Sequence, residues 1–342
     1  VALESWEILD KYSRESLAKN CVEYLKQPHE KPFILFASFI NPHDICYMAY
    51  FKYTRESLVE KRFNMLDDTL RENGFEPFKT VKALDDFVEK HCPELPDNFE
   101  IPENEPEAIT TLLGEKGREF RLFARENWGE KMWRLHRWMY ARLVERVDKN
   151  IGKVLDALQQ SEYADNTIVI FTSDHGDMDS AHRSEHKSLP YEESAGVPFI
   201  MSYPGKIPAG VVDDKHFINS GIDLLATICD YAGIEKPAYL PGQSIRPVAE
   251  GKKPRNWRDY VVTECQNSRM IVRGSFKYMV FDHGKNREFL VDLRNDPGEM
   301  ENLADNDKYK KQLNQMRKLL CSWIDEVDDK IGKKYMIATT SQ

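Results

Sequence analysis

The sequence predicts an α/β protein with a smaller C-terminal α+β domain, and three stretches of the chain say so. Residues 167–171 (Thr-Ile-Val-Ile-Phe) are a short apolar, β-branched run of the kind buried in a parallel sheet. Ahead of that run, apolar residues recur at Leu135, Trp138, Met139, Leu143, Val147, Ile151, Val154 and Leu158. This is helical spacing, and it feeds the strand as an αβ unit. Beyond Pro247, short apolar runs at 260–263, 270–272, 278–281 and 289–293 alternate with polar, Gly-containing turns, which predicts an antiparallel sheet.

In chain order, the pattern predicts a helix around 12–25, then a strand at 33–39 leading to a loop with Asn41-Pro-His43. Residues 44–130 read as irregular, punctuated by Pro93, Pro96, Pro102 and Pro106 in an acidic segment. So long a connection inside a compact domain is usually functional, and it is expected to line a substrate cleft. Trp128, Trp133 and Trp138 could stack on sugar rings, but their helical spacing favours core packing. At the far end, Leu313, Met316, Leu320, Trp323 and Val327 share one face of a terminal amphipathic helix. Gly251-Lys-Lys-Pro-Arg255 marks the boundary between an α/β part at 1–250 and a small sheet-plus-helix part at 255–342.

With 342 residues and 41% hydrophobic content, the chain is large enough to bury a substantial core and to hold more than one domain. A net charge of -9 with no long basic run argues against a general nucleic-acid binder. A polyanionic ligand would therefore be drawn in by a local basic cluster. The six cysteines show neither a disulfide framework nor zinc spacing. No apolar stretch reaches the length of a membrane span.

The chemistry concentrates just after the predicted strand. Phe171-Thr-Ser-Asp-His-Gly-Asp177, then Lys187 and Tyr191-Glu-Glu-Ser194, place a carboxylate, an imidazole and an ammonium near a strand's carboxyl end. In open α/β sheets that edge is where ligands bind. Taken alone, Asp174-His-Gly also reads as a capped turn, Lys187 as a solvated surface lysine, and Asn41-Pro-His43 as an ordinary turn.

The wider run resembles the second signature block of the type I sulfatases, members of the alkaline-phosphatase-like superfamily. It comprises Asp174-His-Gly-Asp-Met, His182, Lys187, Tyr191-Glu-Glu-Ser194 and Val197-Pro-Phe-Ile200. The resemblance continues through Pro204-Gly, Gly221-Ile-Asp-Leu-Leu-Ala-Thr227 and Asp230-Tyr-Ala-Gly233. It resumes at Phe289-Leu-Val-Asp-Leu-Arg-Asn-Asp-Pro-Gly-Glu-Met-Glu-Asn-Leu303, which is similar to that family's C-terminal hairpin and turn. It implies a mixed, mostly parallel sheet sandwiched by helices, with the smaller antiparallel domain appended.

The resemblance also implies roles. Asp174 and His175 would be metal ligands; the carboxylate suits Ca2+, and the imidazole leaves Mn2+ or Zn2+ open. Lys187 would bind a sulfate oxygen as a point charge, and His43 would protonate the departing alkoxide. His182 and Arg183 would stand at the cleft mouth and, with Lys187, recognise a sulfated carbohydrate. Glu192 and Glu193 would cap the next segment or orient Lys187. A periplasmic, secreted or lysosome-like setting is implied by the same resemblance.

Two family features are unmatched. No cysteine sits in a Cys-x-Pro-Ser-Arg-like motif that could yield the formylglycine nucleophile; Cys92-Pro93 is the nearest in letters. Of the paired aspartates Asp67-Asp68, Asp85-Asp86, Asp213-Asp214 and Asp328-Asp329, none follows a strand-like apolar run, and most read as solvated faces of helices or turns. The expectation is a C-terminal portion of a sulfatase, inactive alone, whose N-terminal segment supplies the nucleophile. The rival expectations are a phosphonate or phosphate diester hydrolase of the same superfamily, and a non-catalytic binding fragment.

Overall fold

The computed structural model describes residues 16–337, which form two compact units interleaved along the chain. One comprises residues up to Glu94 together with Gly129–Val169 and Tyr203–Gly205; the other comprises Leu95–Trp128, Ile170–Ser202 and Lys206 onward. The expected boundary at 250–255 is therefore not a boundary between compact units. Among the described residues, no helix is long and apolar enough to cross a membrane.

The first unit is helical. It contains α1 (Ser16–Leu25), a 3-10 turn His43–Cys46 running into α2 (Tyr47–Tyr50), α3 (Arg55–Lys61), α4 (Asn64–Glu72) and α5 (Val81–His91). The 12–15 part of the expected first helix lies outside the described residues. Most of 44–130, expected to be irregular, is short helices, because local caps start them: Thr54 forms a capping box with Ser57, and Thr80 accepts from the Ala83 N–H.

The second unit takes α6 (Glu107–Leu113) and α7 (Glu119–Asn127), and the chain then returns to the first unit as α8 (Glu130–Gln159). Met132, Trp133, Leu135, Trp138, Met139 and Leu143 bury one stripe of α8, so the tryptophans of that helix are core residues as their spacing predicts. Arg134 of α8 donates to the carbonyls of Val88, Cys92 and Pro93. It thereby places a cation at the C-terminal end of α5, where the helix dipole favours one.

The strand expected at 33–39 joins no sheet. A strand is defined by its ladder, and no neighbouring strand is present to complete one among the described residues. Phe33 packs instead against the Tyr24, His29 and Tyr163 rings. The paired aspartates also differ in part from expectation. Asp67 is buried against Arg62, and Asp329 is half-buried and paired with Arg269.

In the second unit, β1 (Val169–Thr172) pairs with β2 (Phe199–Ser202), with α9 (Glu192–Ala195) between them in sequence. α10 (Ser220–Ala232) and α11 (Arg246–Ala249) follow, and then β3 (Tyr260–Cys265), β4 (Ser268–Arg273), β5 (Phe276–Phe281) and β6 (Glu288–Asp292). These last four form an antiparallel sheet in the order β3-β4-β5-β6, as the turn-separated runs predict. Period-two alternation sorts its side chains. Val262, Ile271, Tyr278, Val280 and Leu290 meet Leu313, Met316, Leu320 and Ile324 of α12 (Lys310–Glu326). Met270, Met279, Phe281, Phe289 and Val291 meet α6 and the residues Met178, Leu189 and Tyr191. The sheet is covered on both faces, and the loop after β1 packs on one of them.

Candidate active site

β1 ends at Thr172, and the turn that follows is built by its own polar side chains. Ser173 Oγ donates to the His175 carbonyl at 2.7 Å, and Asp174 Oδ1 accepts the His175 N–H at 3.0 Å. Gly176 has no room for a side chain, because a Cβ there would fall 1.9 Å from the Glu193 carbonyl oxygen. That close approach presses the turn onto α9, and the Gly176 N–H donates to the Ser194 carbonyl. The result is an Asp174 side chain left 83% exposed at the surface of the unit.

His175 Nδ1 lies 2.7 Å from the Gly176 carbonyl, which can only accept, so Nδ1 carries the proton. Nε2 of the same ring faces Asp174 Oδ2, 3.3 Å away. An oxygen and a nitrogen donor side by side suit a divalent cation in type. They are two ligands and not a shell: no group of three or more His, Cys, Asp or Glu side chains able to hold a metal occurs among the described residues.

The next stretch is conformationally unusual. Asp179, Ser180, His182, Arg183, His186 and Ser188 all have positive φ, six non-glycine residues in ten positions. Such residues are uncommon, and they persist only where the surroundings over-determine them. Here the surroundings do. The His182 and Arg183 N–H groups donate to the Asn98 and Phe99 carbonyls, each at 2.8 Å. Arg125 Nη2 donates to the His182 carbonyl at 2.9 Å, and Arg121 Nη1 donates to the Lys187 carbonyl at 3.2 Å. Arg125 is itself held by a buried bidentate pair with Glu105, which also accepts from the Tyr191 hydroxyl. Residues 95–128 thus brace this loop inside the second unit.

The expected cleft-mouth position is not where His182 lies. Its ring is fully buried and stacks on Tyr191 at 4.0 Å and 18°. Burial, with Arg125 and Lys277 adding to it, pushes the His182 pKa down to about 3, so the ring is neutral. Its left-handed backbone turns the imidazole inward, which sequence alone cannot show. Arg183 is half-exposed, paired with Glu100 at 2.8 Å and lying over the Phe99 ring.

Lys187 is half-buried, and the charges of Asp177 and Glu185 act on it, as its own acts on them. Burial raises the Asp177 pKa to about 7. Glu185 is pushed well above the usual carboxylate range by burial and by Asp177. His43 belongs to the first unit, exposed at the start of its 3-10 turn after a cis Asn41–Pro42 bond. The structure therefore gathers Asp174, His175, His182, Arg183 and Lys187 on one loop of the second unit, with His43 on the other unit.

Sequence reading missed Asn98, Glu105, Arg121, Arg125 and Lys277. Each lies far along the chain from the loop it supports and carries no local pattern. Glu299 was visible only as part of a turn.

The Sulfatase family pattern matches residues 3–234, and that of N-sulphoglucosamine sulphohydrolase, C-terminal, matches residues 181–326. The chain is 31% identical over 331 residues to a Delta 4,5-hexuronate-2-O-sulfatase of Bacteroides thetaiotaomicron, covering 94% of this chain and 62% of that protein. The chain thus spans less than two thirds of that relative's length. The solved structure of a 2-O GAG sulfatase superposes with a TM-score of 0.77 at 28% identity, covering 99% of this chain and 70% of that one. A phosphonate monoester hydrolase of Agrobacterium radiobacter gives a TM-score of 0.52 at 26% identity, over 58% of this chain and 43% of that one. The fold is the alkaline-phosphatase-like α/β fold that the residues around Asp174 imply.

Proposed function

Because this chain belongs to the sulfatase family, we propose that the protein hydrolyses a sulfate ester, with a sulfated carbohydrate as its substrate. The observation that carries this reading is the exposed Asp174–His175 pair on the same tightly braced loop as Lys187. Support for a glycan comes from the relatives, which are named for hexuronate and GAG sulfates.

Lys187 supplies a compact positive charge to a sulfuryl oxygen, where preorganised charge counts most. Its backbone carbonyl accepts from Arg121 Nη1, which anchors the residue on the loop. His43, exposed at the start of its 3-10 turn, serves as the acid for the departing alcohol. Arg183 offers a second anionic contact by exchanging its exposed Glu100 partner for substrate. His182 supports the loop from beneath. Asp174 and His175 would hold a divalent cation, Ca2+ by the carboxylate and Mn2+ or Zn2+ by the imidazole, and that cation would supply charge neutralisation. No Cys-x-Pro-Ser-Arg-like motif that could supply a formylglycine nucleophile occurs in this sequence.

The likeness to a phosphonate monoester hydrolase favours a second reading, ester hydrolysis at phosphorus. The deciding experiment uses the full-length natural polypeptide with a 2-O-sulfated unsaturated disaccharide and, separately, a phenylphosphonate monoester. Sulfate release with the larger kcat/KM supports the proposal. Preference for the phosphonate overturns it, and disaccharide binding without turnover of either ester assigns a binding role.

A further inference from the structure

Lys277 stands on β5 on the same side of the strand as Met279 and Phe281, the face that packs against α6 and the loop after β1. Its ammonium is fully buried and lies 2.9 Å from Glu192 Oε1 and 2.8 Å from Glu299 Oε1. Glu299 is buried too, in a left-handed conformation (φ 56), and its Oε2 accepts the Glu192 N–H at 2.6 Å. One carboxylate therefore grips both the lysine and the backbone that opens α9, and the Glu192 side chain closes the ring.

From α9 the contacts run directly to the reaction loop. Glu193 Oε1 accepts from Asn98 Nδ2 at 2.6 Å, and the same amide donates to the Gly298 carbonyl at 3.2 Å. The Glu193 carbonyl is the atom against which Gly176 packs, and the Ser194 carbonyl accepts the Gly176 N–H. Gly176 directly follows His175. An apolar set of similar volume in place of the whole Lys277–Glu192–Glu299 group would pack at least as stably, because a buried ion pair gives little net stability over a well-packed apolar one. What the ion pairs do give is a unique orientation of the groups they join.

We propose that Lys277 is a positioning residue: through Glu192 and Glu299 it fixes α9, and through α9 it sets the Asp174–His175 turn. That this turn is a reaction centre rests on the sulfatase reading; the coupling itself does not.

The test uses the full-length protein with Lys277→Met, Glu192→Gln and the double variant. Hydrogen exchange is followed in peptides spanning 172–178 and 190–196, with 313–324 of α12 as an internal reference. Exchange at the Gly176 and Gly196 amides is expected to rise about tenfold or more in each single variant, while α12 is unchanged. The double variant is expected to be no worse than the singles, because both cut the same path. Turnover of 4-nitrophenyl sulfate is expected to fall about 10- to 100-fold in kcat/KM. Unchanged exchange at Gly176 in the folded variants overturns the proposal, as does a uniform rise that includes α12. Should Lys277→Met fail to fold, Glu192→Gln carries the test, since that side chain is 43% exposed. Exchange that responds in a protein with no sulfatase activity leaves the coupling standing and removes the sulfatase reading.

Discussion

At the scale of single residues, Gly176 and Lys187 separate the geometry of the loop from its chemistry. A methyl group at Gly176 would meet the Glu193 carbonyl at 1.9 Å and the Gly196 carbonyl at 2.9 Å, both of them backbone atoms that cannot rotate away. Gly176→Ala is therefore expected to cost about 3 kcal/mol, at the upper end for overpacking, and urea unfolding would measure it. Lys187→Ala keeps the backbone anchor of the loop, since Arg121 binds the Lys187 carbonyl and not its side chain. Turnover of a sulfate ester is expected to drop on the order of 10²- to 10³-fold in that variant, measured on the folded protein. Both residues were legible in the sequence, because a glycine after Asp-His and a lysine in the matching block are local signals. The inward turn of His182 was not, since it depends on the backbone of a loop held by Asn98 and Arg125.

At the scale of elements, the four-stranded sheet is the clearest success of pattern reading, because its alternation is a property of consecutive residues. Each strand lies within a few positions of its predicted run. The terminal helix follows the same logic at Leu313, Met316 and Leu320, but Ile324 completes its buried face, with Trp323 only partly buried and Val327 exposed just past the helix end. Leu320→Ala removes a fully buried side chain between α12 and the sheet and is expected to cost about 2–5 kcal/mol in denaturant unfolding. A cost under 1 kcal/mol would mean that the helix does not seal that face as drawn. The expected strand at 33–39 shows the limit of the method. An apolar run states a preference for a ladder, but a ladder needs a partner, and none is present among the described residues.

At the scale of the whole molecule, buried titratable groups of the second unit give its stability an opposed pH dependence. The Glu299 pKa is raised from 4.5 to about 7, chiefly by burial, so the native state holds that proton more tightly than the unfolded chain. Its contribution is complete below about pH 4.5 and is lost as pH rises through about 7. His182 acts in the other direction: its pKa falls from 6.5 to about 3, so its contribution is present above about pH 6.5 and is lost as pH falls below that. Glu299→Gln should therefore remove part of the decline in unfolding free energy between pH 5 and 8. Denaturant titrations at several pH values would show this, and a slope equal to wild type would contradict it. The sequence by itself determined most of the helix and strand periods, the C-terminal antiparallel sheet and the family of the chain, because each is written in residues close together along the chain. Only the tertiary structure decided which side chains of that loop face outward, which are buried, and that Lys277, Glu299, Arg121 and Arg125 hold it in place. Those partners come from distant parts of the chain, and only folding brings such charges close enough to pair.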